Sequence, residues 1–130
     1  MKILVVDDEE IIRRLLWDVL LDDGHEVACA NNGREAVIKV KQENFDIIFS
    51  DVHMPEMNGL EAVKIIRKLD KKVIIVMTDS FPDVMSVLAQ EEGAITCIHK
   101  PFELQEIRDI IREAEGENQG GEEIEISKSI

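Results

Sequence analysis

The sequence predicts an α/β fold, a doubly wound five-stranded parallel sheet with five helices, and three observations predict it. Short continuous apolar runs alternate along the 130 residues with longer segments of helical period, the pattern of repeated βαβ units. The runs do not alternate polar with apolar residues, so they suit strands covered on both faces rather than an antiparallel sheet with one wet face. Polar residues able to do chemistry fall just after the runs, where open parallel sheets bind ligands.

The five strands are KILVV at 2–6, EVACA at 26–30, DIIFS at 46–50, VIIVM at 73–77 and AITCI at 94–98. The first helix, 10–22, carries Ile12, Leu16, Val19 and Leu20 on one stripe, and Gly24 gives its end a permissive backbone. Comparable stripes mark helices at 34–42, 60–69 and 103–114, while Pro82 fits the first turn of a fourth helix that ends near Gly93. After Ala114 the text turns Gly-rich and acidic, GENQGGEE, and loses any apolar period. The domain is therefore placed at 1–115 and a tail or linker at 116–130. The last residues, EEIEISKSI, alternate apolar with polar and read either as an edge strand for some partner or as the start of a removed segment.

Apolar residues make up 45% and charged residues 33%, a balance that suits one globular core. A formal net charge of -13 excludes non-specific attraction to nucleic acid or to an anionic membrane. The apolar runs fall short of the roughly 18 residues a spanning helix needs. MKILVVDDEE is not the start of a secretory signal, so a cytoplasmic location is expected. Cys29 and Cys97 are far apart, and His25, His53 and His99 are scattered, which argues against a transition-metal site and leaves a hard-cation site open.

Asp7 and Asp8 follow the first strand, Asp51 the third, Thr78 the fourth and Lys100 the fifth. With the order 2-1-3-4-5, the first and third strands flank the point where strand order reverses, and the three carboxylates share one pocket. Like charges crowded together raise carboxyl pKa values unless something positive joins them. Mg²⁺ suits such oxygen ligands, and Lys100 supplies a second positive charge.

The segments LVVDDEE, DVHMPEMNGLE around Asp51, the pair Met77–Thr78, the pair Gly93–Ala94 and KPF at 100–102 occur in that order and spacing across residues 1–115. In these the chain resembles the receiver domain of two-component response regulators, the flavodoxin-like fold of the chemotaxis regulator. The resemblance implies that Asp51 is the phosphoacceptor, taking a phosphoryl group from a phosphohistidine on a sensor histidine kinase or phosphotransfer protein. It implies a Mg²⁺ site of Asp7, Asp8, Asp51 and the backbone carbonyl of His53, with Asp8 binding directly and Asp7 through water. Thr78 and Lys100 would contact the phosphoryl oxygens, and the Lys100–Pro101 bond would be cis. His53, Ser80 and Asp79 match positions that tune hydrolysis, and Ile12 and Leu15 match the kinase-docking part of the first helix. The output is a change in protein contacts with a downstream target the sequence does not name, made by a monomer or weak dimer that acts on no external substrate.

Two positions depart from the family. Cys97 stands where an aromatic residue usually rotates with the Thr, and it reads either as a smaller switch or as a strand residue that only packs. Asp79 stands where a small residue is usual. It would either repel donors or attract metal if it points inward, or cap the fourth helix if it turns outward. Trp17 and Leu21 fall opposite the buried stripe of the first helix, as a docking patch for a partner or for Ile124 and Ile126 of the tail, or simply as lone exposed apolar residues. The alternative function is a constitutive binding module with weakened phosphorylation. A Mg²⁺-dependent phosphatase would need a general acid and a cap, for which the sequence offers no candidates.

Overall fold

A computed structural model of the chain describes residues 1–80 and 84–120, with side chains as far as residue 116. The elements follow the order β1 (Lys2–Val6), α1 (Glu10–Asp22), β2 (Glu26–Ala30), α2 (Gly33–Gln42), β3 (Ile47–Asp51), α3 (Gly59–Leu69), β4 (Ile74–Asp79), α4 (Val84–Glu91), β5 (Thr96–His99) and α5 (Leu104–Gly120). The strands form one parallel sheet in the order β2-β1-β3-β4-β5. Each β-α-β connection returns to the sheet with its helix across one face, so strand residues are sorted between two apolar layers. Ile3, Val5, Ile47, Phe49, Val76 and Ile98 pack with Leu16 and Leu20 of α1 and with Ile107, Ile110 and Ile111 of α5. Leu4, Val6, Ile48, Ile75, Met77 and Cys97 pack on the other side with residues of α2, α3 and α4 such as Val37, Val63 and Ala89. Burying a side chain of this kind contributes about 1.5–3 kcal/mol.

Three differences from the sequence expectation have physical reasons. The run EVACA was expected to be covered on both faces, but β2 is an edge strand with one neighbour, and Val27, Ala28 and Cys29 are only half-buried. Asp51 and Thr78, expected just beyond their strands, belong to them: the parallel ladder continues through Asp51↔Thr78 and Asp79↔His99, so pairing there outlasts the apolar run, whereas Asp7, Asp8 and Lys100 do follow β1 and β5. Finally, α5 continues past Ala114 to Gly120, so helix reaches into the segment read as linker. Pro82, the expected start of the fourth helix, and the alternating segment 122–130 lie outside the described residues.

The helix starts hold the loops beside the sheet's C-terminal edge. Asn32 Oδ1 accepts the Glu35 amide at 2.9 Å and Asn58 Oδ1 accepts the Glu61 amide at 3.0 Å, capping α2 and α3. Gly59, the first residue of α3, passes so close to β3 that a Cβ would meet the Asp51 carbonyl oxygen and lie 2.8 Å from the Val52 Cα. Among the described residues no helix is long and apolar enough to cross a membrane.

Candidate functional site

Four strands deliver the site residues to one edge of the sheet. Val5 and Phe49 face α1 and α5, and a period of two carries the same face on to Asp7 and Asp51; likewise Val76 leads to Thr78. The Asp7 amide donates to the Ala30 carbonyl at 3.1 Å, its Oδ1 accepts the Glu9 amide at 2.9 Å, and its carbonyl accepts Arg13 Nη1 at 2.7 Å. With its backbone held in this way, the buried Asp7 carboxylate has its remaining oxygen free for Lys100, whose Nζ donates to Oδ2 at 2.6 Å. The same ammonium lies 3.3 Å from Asp51 Oδ2 and 3.6 Å from Glu9 Oε1. Lys100 is itself positioned by the end of β5: its amide donates to the Asp79 carbonyl at 2.5 Å, and its peptide bond to Pro101 is cis. Thr78 is buried and sits in register with Asp51, and the Val52 amide donates to the Thr78 carbonyl at 2.9 Å.

Burial pushes the Asp51 carboxyl up; Lys100 pulls it down, Asp7 pushes it up again, and the His53 amide bonded to it lowers it, leaving it at about 6. Burial lowers Lys100, but hydrogen bonds and attraction from Asp7 and Asp51 outweigh it and hold the ammonium above its usual pKa. One cation thus faces several acceptors, and carboxylate oxygens of Asp7, Asp8 and Asp51 all lie within 4.8 Å of one another. Two of these groups are buried and Asp8 is exposed, an all-oxygen donor set with an open side, which fits a hard divalent cation that keeps several waters. Glu9, Ile12, Leu15, Ser80, Lys100, Pro101 and Phe102 line an open groove of about 480 Å³ at the mouth.

Asp79 corrects one sequence alternative. It does not turn outward to cap a helix: the residue is 0% exposed. Met77 and Cys97 face α4, so alternation sends Asp79 and His99 to that side, away from Thr78. There Ser86 Oγ donates to Asp79 Oδ2 at 2.6 Å, Cys97 Sγ donates to the same oxygen at 2.9 Å, and His99 Nδ1 donates to Oδ1 at 2.7 Å. Burial raises the Asp79 carboxyl, but hydrogen bonds from Cys97, His99 and Ser86 outweigh it and hold the pKa below the usual carboxylate value. Burial, reinforced by Asp79, pushes the Cys97 thiol up to about 12. Cys97 is therefore a buried, protonated donor.

Trp17 and Leu21 are exposed at 38% and 44%, as their helical phase predicted, while Ile124 and Ile126 lie outside the described residues. Sequence reasoning missed Glu9 and Arg13 around Asp7, and Ser86 and His99 around Asp79. The spacing of Cys97 and His99, two apart on a strand, was a usable signal for the last.

Residues 3–112 match the family model described as the response regulator receiver domain. Over 104 residues the chain is 43% identical to the chemotaxis protein CheY of Thermotoga maritima, covering 78% of this chain and 87% of that protein. It is 35% identical over 114 residues to the regulatory protein AtoC of Escherichia coli, covering 87% of this chain but only 25% of AtoC. Among solved structures, the response regulator TrrA of Thermotoga maritima, in complex with Mg(2+)-BeF, superposes with a TM-score of 0.79 at 34% identity, covering 87% of this chain and 97% of that one.

Proposed function

The chain belongs to the response regulator receiver domain family, and from that premise we propose that Asp51 accepts a phosphoryl group from a phosphohistidine on a sensor histidine kinase or phosphotransfer protein, and that the resulting acyl phosphate changes which proteins the domain binds. The observation that carries this reading is the buried Asp51 carboxylate paired with Lys100 at 3.3 Å beside the carboxylates of Asp7 and Asp8.

With its pKa at about 6, the Asp51 carboxylate is mostly ionised at neutral pH and is the attacking group. A bond forms from its oxygen to phosphorus as the phosphorus–nitrogen bond breaks, the electron pair leaving on the donor imidazole. Little covalent help is needed, so orientation and neutralisation of the phosphoryl oxygens dominate. Lys100, already between Asp7 and Asp51, neutralises one oxygen, and the Thr78 hydroxyl donates to another. Mg²⁺, held by Asp7, Asp8, Asp51 and the His53 carbonyl, supplies further charge neutralisation when bound. Ile12 and Leu15, on the groove that opens over Lys100, present an apolar surface to the donor protein. His53, exposed and bonded to Asp51 through its backbone, and Ser80, exposed on the groove, would affect water attack on the acyl phosphate. Asp79 acts on lifetime only indirectly, because its carboxylate is engaged on the α4 side.

Catalysis is confined to the domain's own phosphorylation and dephosphorylation, in the cytoplasm, by residues 1–115, and 116–130, whose first residues prolong α5, serve as a tail or linker. The readout is the face of α4, β5 and α5, where Val84, Val87, Leu88 and Ile95 are exposed. The test is intact mass after treatment with a small phosphodonor and Mg²⁺, for the wild type beside Asp51→Asn. One phosphoryl adduct in the wild type alone is expected. A folded wild type that gains none at any Mg²⁺ concentration would favour the constitutive binding module.

A further inference from the structure

On the α4 side of the sheet, unused by phosphoryl transfer, lies a second group of metal-ligating side chains. We propose that Asp79, Cys97 and His99 form a binding site for a borderline-soft divalent transition ion of the Zn²⁺ class. The oxygen, sulfur and nitrogen ligand atoms of these three residues all lie within 4.8 Å of one another. Ligands of a tetrahedral Zn²⁺ stand about 2.0–2.3 Å from the ion, so atoms this close can surround one with side-chain adjustment alone. The sulfur and nitrogen donors are ones that Zn²⁺ takes and Mg²⁺ does not favour, so softness sorts the two sites of this chain between different cations.

The scaffold is rigid. Asp79 and His99 are register partners on β4 and β5, and Cys97 shares the face of His99 two residues earlier. Asp79 and Cys97 are buried while the His99 side chain is half-exposed, which leaves an entry path from solvent. At present two protons, one on Cys97 Sγ and one on His99 Nδ1, point at the same carboxylate from 2.9 and 2.7 Å. The ion takes the place of both. The thiol proton leaves to solvent, the imidazole binds through Nδ1 with its proton on Nε2, and the carboxylate and thiolate charges balance the dication. The fourth position falls to water or to the Ser86 hydroxyl, which is 2.6 Å from Asp79 Oδ2 on α4. Occupancy would tie β4, β5 and α4 together next to Thr78.

The experiment titrates the reduced full chain with Co²⁺ in saturating Mg²⁺, so that the all-oxygen pocket is already filled. Absorbance from thiolate-to-cobalt charge transfer reports Cys97 as a ligand, and equilibrium dialysis gives stoichiometry. One Co²⁺ per chain with the thiolate band, displaced by Zn²⁺, is expected. The band should vanish in Cys97→Ser, affinity should fall about tenfold or more in His99→Asn, and Asp8→Asn should bind as the wild type does. Circular dichroism checks the fold of each variant. Should Cys97→Ser not fold, the half-exposed His99→Asn carries the test. No stoichiometric binding, binding without the thiolate band, or binding lost in Asp8→Asn and kept in folded His99→Asn would overturn the proposal.

Discussion

Asp51 is ionised in a place that resists ionisation. Burial, only partly offset by Lys100, raises its folded-state pKa to about 6 from an ordinary 3.8. The folded protein therefore binds this proton more tightly than the unfolded chain does. The destabilisation is full above about pH 6 and is released as pH falls toward the unfolded value. In Mg²⁺-free buffer, Asp51→Asn should raise the unfolding free energy at about pH 7.5 by on the order of 2 kcal/mol, and the gain should shrink below about pH 6 and vanish near pH 4. Urea denaturation at several pH values checks this; an equal effect at every pH would remove the carboxylate's burial as its cause. Lys100→Met should do the reverse at neutral pH, costing about 3 kcal/mol because it strands two buried carboxylates. At this scale Asp7, Asp8, Asp51, Thr78 and Lys100 were legible, because a polar residue closing an apolar strand has few reasons to be there. Asp79 was harder. Its outward alternative failed because β4 continues through Asp79 and alternation turns the side chain toward Cys97 and Ser86.

Elements position these residues through their ends. The start of α3 packs directly on the end of β3: the Gly59 amide donates to the Val52 carbonyl at 2.7 Å. Gly59→Ala would drive a methyl group into the backbone at Asp51 and Val52, atoms that cannot swing away. The expected result is a loss of about 1–3 kcal/mol together with slower phosphoryl-adduct formation, because the strand end that carries Asp51 must shift. Asn58→Ala, one residue earlier, removes only the cap on Glu61 and should cost about 1 kcal/mol with adduct formation unchanged. Denaturation and intact mass on the pair separate the two effects. The elements of the described residues were readable from apolar runs and stripes, with α4 marked by Pro82 and Gly93 instead, whereas several of their ends were not. Strand pairing carries polar residues as readily as apolar ones, and α5 continues through GENQG after its apolar stripe has ended.

Across the molecule, a net charge of -13 means that folding gathers like charge into a smaller volume. Raising salt from about 10 mM to about 150 mM shortens the screening length from about 30 Å to about 8 Å, so the melting temperature should rise in a Mg²⁺-free titration. A fall would mean that ion pairs such as Lys2–Glu43 at 2.6 Å and Arg108–Asp23 at 2.9 Å outweigh the repulsion, against the small contribution expected of exposed pairs. The alternation of apolar runs with helical stripes by itself determined the element order, a parallel sheet layered with helices and the edge at which the chemistry gathers, because apolar periodicity is a local property of a chain, whereas the half-buried β2 shows that burial also depends on place in the sheet. Only the tertiary structure decided that Lys100 meets Asp7 across 93 residues of sequence, and that Asp79, Cys97 and His99 converge on the opposite face. Those meetings depend on strand order and register, which the packing of two helical layers sets and no local period encodes.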